Sequence, residues 1–216
     1  MQTLATKLRY KLIAPIFFLG FSILSAFANS PVTELTQILT RLTSFQAQFQ
    51  QIVIDNQKRV LQRAQGQVAL KRPQLFHWEL QTPTPQIVIG NGRKLWFYEP
   101  DLKQVRIASF KQTIARTPAE ILLGSPDSFR KKYSVHNLPQ PTKDVRGFLL
   151  IPYNKQGNFT AVRLFFKQQR LVEMDLMDKL EQTTKVQFNA IKINAPLDNK
   201  QFNFIPPPGV DVLGDY

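Results

Sequence analysis

The stretch GQVALKRPQLFHWEL, residues 66–80, decides the fold because it holds two strand patterns on either side of Pro73. Every second residue is apolar before the proline and again after it: Val68, Leu70, Phe76, Trp78 and Leu80. A period of two is typical of a β-strand that is buried on one face. Arg72 falls on the apolar parity, so the pattern places a guanidinium in an apolar row.

The position of Arg72 has two interpretations. If its side chain follows the parity of the strand, it points into the interior, where an unpaired charge costs several kcal/mol and therefore needs polar partners. Alternatively, Arg72 ends the strand and the break at Pro73 lets the charged head reach solvent while the stem covers apolar surface. Spacing alone leaves both interpretations open.

Most of the remaining chain repeats the period of two. It predicts about eleven antiparallel strands, over residues 45–50, 66–72, 75–80, 87–89, 95–98, 104–110, 148–152, 159–166, 171–177, 184–193 and 202–204. Helices are predicted at 31–42, at 117–124, where Thr117 is the N-cap of a capping box, and from Ser125 to about Tyr133. The fold class is mainly β (α+β), a curved antiparallel sheet or incomplete barrel with helices on one side.

The N-terminus has the features of an export signal. Three bases precede the apolar run 12–27, which ends in Ala26-Phe27-Ala28. The run is about 16 residues long, against the roughly 20 of a spanning helix. We therefore predict a cleaved signal peptide at 1–28 and a single exported domain at 29–216. The chain has no cysteine, which excludes disulfides and a lipid-modified cysteine.

Charge and residue types favour binding over catalysis. The net charge is +13, or +10 without the three leader bases, which suits contact with polyanions or an anionic membrane surface. We find no nucleic-acid-binding signature. His77, placed facing solvent, and His136, placed in a loop, are too few for a metal site, and neither G-x-S-x-G nor a phosphate-binding glycine loop occurs. We predict a non-enzymatic protein without cofactor or metal.

Four segments, in order and spacing, resemble the LolA family of periplasmic outer-membrane lipoprotein carriers. They are residues 66–80, LWFYEPDLKQV at 95–105, TPAEILL at 117–123 and FNFIPPPGVDV at 202–212. The resemblance covers essentially the whole chain after the leader. It implies an unclosed β-barrel of about eleven strands, with a helical lid over a hydrophobic cavity. It also implies a periplasmic carrier that receives lipoproteins from an inner-membrane LolCDE-type ABC transporter, shields their acyl chains and delivers them to an outer-membrane LolB-type receptor.

The resemblance also implies roles for individual residues. Arg72 would hold the lid shut by hydrogen bonds to backbone carbonyls near Leu39, Leu122 and Leu123. We place the acyl-chain cavity or its mouth at Val68, Leu70, Phe76, Trp78, Leu80, Ile87, Ile89 and Trp96. Strand parity does not separate cavity lining from ordinary packing at these positions.

Other functions stay open at this point. The main alternative is a related exported binder or sensor of lipid or glycolipid on the same half-barrel. A cell-envelope hydrolase and a polyanion-binding module are further alternatives. We expect a monomer, and the basic charge is compatible with transient contact with a membrane surface.

Overall fold

A computed structural model describes residues 30–114, 119–125, 130–140 and 142–214. The helices are α1 Pro31–Thr40, α2 Phe110–Ile114 and α3 Ala119–Leu123. The strands are β1 Ser44–Ile54, β2 Val60–Lys71, β3 Leu75–Thr82, β4 Gln86–Asn91, β5 Lys94–Glu99, β6 Gln104–Ser109, β7 Tyr133–Leu138, β8 Val145–Pro152, β9 Phe159–Lys167, β10 Arg170–Asp178, β11 Thr183–Ile193 and β12 Asp211–Leu213. Short 3-10 helices lie at Pro100–Leu102 and Asn199–Phe202.

The strands form one sheet whose two edges do not meet. Their order is β12-β6-β5-β4-β3-β2-β1-β11-β10-β9-β8-β7. Neighbouring strands are antiparallel except β12, which runs parallel to β6. The prediction of an unclosed, mainly antiparallel sheet with few helices is confirmed, with twelve strands in place of about eleven.

One face of the sheet, called the inner face, is covered by the helices. Leu70 pairs with Phe45 on β1 and with Phe76 on β3, so these three side chains lie on the same face. The buried residues there and on the helices form one contiguous cluster, the inner cluster. Its helical members are Leu35 and Leu39 of α1, Phe110 of α2 and Ile121, Leu122 and Leu123 of α3. The amphipathic stripe predicted for α1 therefore packs on the sheet as expected.

The opposite, outer face has its own apolar cluster under the C-terminal segment. This outer cluster is formed by Ile89, Trp96, Val105 and Ile107, with Ile87, Tyr98, Phe204, Val210 and Val212 packed against it. The ring of Phe204 lies 5.3 Å from that of Tyr98 and 6.5 Å from that of Trp96. Residues 199–213 thus cover part of the sheet that would otherwise expose aromatic surface.

Two predictions of local structure are wrong, one for residues 202–204 and one for His136. Residues 202–204 are not a strand, because the 3-10 helix Asn199–Phe202 ends there and the residues after it have no regular structure. The three prolines at 206–208 have no N–H to donate to a neighbouring strand. His136 lies in β7 and not in a loop, because Tyr133–Leu138 pairs with β8. The predicted signal peptide and the Thr117 cap lie outside the described residues. Within the described ranges, no helix is long and apolar enough to span a membrane.

Candidate functional site

Arg72 joins the sheet to helix α3. It directly follows β2, and its backbone N–H donates to the carbonyl oxygen of Thr43 at 2.9 Å, beside the start of β1. Its side-chain Nε donates to the carbonyl oxygen of Leu122 at 3.1 Å. Carbonyls in the last turn of a helix have no partner within the helix, so this oxygen is free to accept. Of the two interpretations of Arg72, the structure has the side chain reaching a polar partner on a helix.

The hydrogen bond between Arg72 and α3 contributes little net stability. Burial lowers the pKa of the Arg72 guanidinium, because the side chain has lost much of its water. A hydrogen bond to a charged group contributes about 1.5–3 kcal/mol, and a buried donor without a partner costs about 1–3 kcal/mol. Nη2 of Arg72 is such a donor among the described residues. The two contributions are of similar size, so the contact positions α3 without fixing it strongly.

Leu39 and Leu123 take part through packing. The carbonyl oxygen of Leu39 accepts from the backbone N–H of Leu42 at 3.2 Å. In the described part of the chain, the Arg72 side chain bonds to Leu122 and to neither Leu39 nor Leu123. Both leucines are buried in the inner cluster. Helix α3 also carries an ion pair between Glu120 and Lys132.

Five of the residues predicted for the acyl-chain site lie together on the inner face. Val68, Leu70 and Phe76 are buried there, and the half-buried Trp78 and Leu80 pack against them. Phe49, which the site prediction omitted, stacks on Trp78 with ring centroids 4.0 Å apart. Its shared parity with Phe45 is the sequence signal that could have identified it. The inner face therefore carries a group of aromatic side chains that includes Phe49, Phe76 and Trp78.

The other three predicted residues, Ile87, Ile89 and Trp96, lie on the outer face, which corrects their assignment to the cavity. Trp78 pairs with Val88, so Val88 is the inner-face residue of β4 and the flanking isoleucines point the other way. Ile89 in turn pairs with Trp96. Parity misled the prediction because β4 and β5 are apolar on both faces.

Two further arginines on the helix-covered side escaped the sequence analysis. Arg106 lies over the ring of Phe97, 4.0 Å from its centroid. Arg146 of β8 holds Glu34 of α1 through two bonds, Nε to Oε1 at 2.8 Å and Nη2 to Oε2 at 2.7 Å. This bidentate contact raises the pKa of Arg146. Helix α1 is therefore fastened to the sheet by a paired charge.

The two histidines lie on different strands, and each has a polar neighbour. His77 is half-buried and not solvent-facing as predicted, because the 3-10 helix Asn199–Phe202 packs over it and Nδ1 lies 3.0 Å from the Gln201 carbonyl oxygen. Nε2 of His136 is 3.3 Å from the hydroxyl of Ser134. Among the residues that the structure describes, no three metal-ligating side chains cluster.

Comparison with known proteins identifies the family. Residues 40–205 match the family of the outer membrane lipoprotein carrier protein LolA. An outer-membrane lipoprotein carrier protein of Coxiella burnetii strain CbuK_Q154 is 37% identical over 199 residues, which cover 92% of this chain and 93% of that protein. The protein of the same description from Pseudomonas paraeruginosa strain DSM 24068 / PA7 is 36% identical over 195 residues, or 90% of this chain and 93% of that protein.

A solved structure shares the fold at much lower identity. The crystal structure of an uncharacterized conserved protein from Thermus thermophilus superposes with a TM-score of 0.55 at 15% identity, over 83% of this chain and 98% of that one. The family match and the curated relatives both span most of the sequence. This chain therefore belongs to the LolA family of outer membrane lipoprotein carrier proteins.

Proposed function

We propose that this protein carries lipoproteins across the periplasm, with their acyl chains sheltered between the inner face and helices α2 and α3. The supporting observation is the hydrogen bond from Arg72 to Leu122, which places a weak polar fastening between an apolar face and a short helix. Opening α3 would uncover part of the inner cluster, to which Phe76 belongs and against which Trp78 packs. In this account Arg72 is a latch that favours the closed, empty state.

The energetics of such a lid suit a carrier that must also release its cargo. Each buried methylene contributes about 0.8 kcal/mol, so one fully sheltered acyl chain would contribute about 10 kcal/mol. In the closed state, however, Ile121, Leu122 and Leu123 already occupy the inner face. A chain that enters must displace them, and the cost of re-exposing these side chains is subtracted from its affinity. Cargo and lid therefore compete for the same surface.

The transport pathway is part of the proposal. The protein receives triacylated lipoproteins from an inner-membrane LolCDE-type ABC transporter and passes them to an outer-membrane LolB-type receptor. It acts as a monomer after removal of residues 1–28, and it makes and breaks no covalent bond. Its specificity resides in the lipid part of the cargo, because the inner face offers apolar side chains.

A reconstituted release assay tests this function. Proteoliposomes with the transporter and a triacylated lipoprotein are incubated with the purified protein, and soluble lipoprotein is measured before and after adding receptor. We expect soluble complex to form and then to pass to the receptor. The control is the same lipoprotein with its lipid-bearing cysteine replaced by serine, which should not be bound. Equal binding of both forms, or recovery of free phospholipid in place of lipoprotein, would contradict the proposal.

A further inference from the structure

The hairpin tips at one end of the sheet carry apolar side chains that packing does not explain. Strand β1 runs from Ser44, near Arg72, to Ile54, so its turn into β2 lies at the end of the sheet opposite the latch. The β8–β9 and β10–β11 turns lie at this same end, as strand direction requires. We call these connections, together with the β5–β6 turn, the tip end. The side-chain amide of Asn56 donates to Glu181 Oε2 at 3.2 Å, which makes two of the turns direct neighbours.

The tip end exposes large apolar residues on several separate connections. Leu180 in the β10–β11 turn is 75% exposed, and Tyr153 after β8 is 63% exposed. Leu102, between β5 and β6, is 68% exposed. Val60 and Leu61, at the start of β2, are exposed as well. Single exposed apolar residues are ordinary on protein surfaces, but this group occupies projecting turns at one end of the molecule.

Each of these apolar residues has a basic neighbour in the sequence. Lys179 precedes Leu180, Lys103 follows Leu102, Lys155 lies two positions after Tyr153, and Lys58 and Arg59 precede Val60. All five bases are exposed.

Acidic residues also lie at the tip end. Asp101 is exposed beside Leu102, and Glu181, beside Leu180, accepts from Asn56. Two further carboxylates are used within their own turns. Asp178 accepts from the backbone N–H groups of Leu180 and Gln182, at 2.8 and 2.9 Å. Asp55 accepts in the same way from Gln57 and Arg59. Asp55 also forms an ion pair with the Arg59 side chain, Nη2 to Oδ2 at 2.7 Å, whereas the four lysines are exposed and have no ion pair with a described carboxylate.

We propose that the tip end docks transiently on an anionic phospholipid surface. Leu180, Tyr153 and Leu102 would enter the boundary between headgroups and acyl chains, and the neighbouring lysines would meet lipid phosphates. The net charge, +13 for the whole sequence and +10 without the three leader bases, complements such a surface. A soft bilayer accommodates apolar side chains on separate projections, whereas a protein partner requires a continuous complementary face. Docking by this end leaves the Arg72 end of the sheet directed away from the bilayer.

Vesicle binding by the full protein tests the proposal. We expect co-sedimentation with protein-free phosphatidylcholine vesicles that contain phosphatidylglycerol, weaker binding to pure phosphatidylcholine, and loss of binding with added salt. The variant Leu180→Asp with Tyr153→Asp should bind at least about tenfold more weakly. Its control is Ile205→Asp, because Ile205 is 80% exposed but lies in the C-terminal segment over the outer face. Equal loss in both variants, or no binding to anionic vesicles, would overturn the proposal.

A charge-matched pair separates local docking from general attraction. Lys155→Glu with Lys179→Glu should weaken binding at least about tenfold, and Lys143→Glu with Lys200→Glu, which changes the net charge equally at the opposite end, should weaken it less. The substituted residues are all exposed, so thermal unfolding should be unchanged and will verify folding.

Because the chain lacks cysteine, a single environment-sensitive fluorophore can be attached through Leu180→Cys or Ile205→Cys. We expect a blue shift on anionic vesicles only for the first, and equal shifts would overturn the proposal. Lipoprotein pickup by the protein in solution is independent of these outcomes, so failure of docking is distinguishable from failure of the carrier function.

Discussion

The two apolar clusters of the sheet differ in what covers them. The inner cluster lies under short helices, and in the part of the chain that the structure describes α3 is held by a hydrogen bond from Arg72 and an ion pair at Glu120. The outer cluster lies under residues 199–213. The last three of them, Asp211–Leu213, form β12 and pair with β6, and the backbone N–H of Asp211 donates to the carbonyl oxygen of Lys103 at 2.8 Å. One cover is therefore attached mainly by side chains, and the other is part of the sheet.

This difference indicates separate roles for the two faces. Removing the outer cover breaks backbone hydrogen bonds and exposes aromatic surface, and nothing in the proposed cycle replaces it. Removing the inner cover exposes leucines and phenylalanines that an acyl chain can cover again. The same kind of side chain thus stabilises the fold on one face and, in our proposal, binds cargo on the other.

The largest effect is expected when the two tryptophans are exchanged for alanine. Trp96→Ala in the outer cluster should lower the free energy of unfolding by about 3–5 kcal/mol, because its buried ring has no substitute there. Trp78→Ala on the inner face should cost clearly less, since Trp78 is only half-buried. Denaturant titration gives both values.

Lipoprotein pickup per folded molecule should show the reverse order. We expect it to fall for Trp78→Ala, which removes the partner of the Phe49 stack, and to be unchanged for Trp96→Ala. If the outer-face variant loses pickup and the inner-face variant retains it, the assignment of roles to the two faces is wrong.

The second effect concerns Asp175, a buried carboxylate whose ionisation lowers the stability of the folded protein. Asp175 of β10 is 2% exposed, its Oδ2 is 3.8 Å from Arg163, and its Oδ1 has no partner among the described residues. Burial, with Glu173 nearby, raises its pKa to about 6, although Lys185 and Arg163 act in the opposite direction. The folded protein therefore holds this proton more tightly than the unfolded chain does.

The sign of the pH dependence follows from this raised pKa. The stabilising contribution is fully present below the unfolded pKa of about 3.9 and is lost as pH rises through about 6, at a cost of about 3 kcal/mol. Asp175→Asn should therefore gain about 3 kcal/mol over the parent between pH 4 and pH 7, as measured by denaturant titration at each pH. The control is Asp144→Asn, since the pKa of Asp144 is lowered to about 2 and its titration falls below this window. A constant difference between Asp175→Asn and parent would contradict the prediction.

The two faces also differ in how well the sequence pattern assigns residues to them. Alternation on β1 and β3 identifies the inner face correctly, because those strands are apolar on one side over the relevant stretch. On β4 and β5 both parities are apolar, and assigning Trp96 requires knowing that residues 199–213 fold back over it. The partner of Arg72 lies 50 residues away in the chain, so spacing left its direction open. The resemblance to a family supplied the latch, but only its Leu122 contact is present as a hydrogen bond.

The third prediction concerns how fast cargo leaves the inner face. Arg72→Leu removes the hydrogen bond to Leu122, which contributes about 1.5–3 kcal/mol, and also the buried Nη2 that opposes it. We expect loading to continue and transfer to the receptor to slow by at most about tenfold, because the closed state loses only the net difference between these two contributions. Arg63→Leu, which replaces an exposed arginine of the preceding strand β2, is the control. Normal transfer by Arg72→Leu would remove the latch from the mechanism.

The smallest effect should come from the fastening of α1. The side chains of Arg146 and Glu34 are 34% and 29% exposed, so solvent and salt screen their attraction. Arg146→Gln should lower the free energy of unfolding by up to about 1 kcal/mol, and a double-mutant cycle with Glu34→Gln should assign most of that loss to the pair.

Transfer to the receptor should not change in Arg146→Gln if only α2 and α3 move. The bidentate geometry holds α1 in one orientation relative to β8, whereas Arg72 donates a single described side-chain hydrogen bond to α3. Slower transfer in Arg146→Gln, of the size expected for Arg72→Leu, would mean that α1 opens together with α3 and that both arginines act on one moving unit.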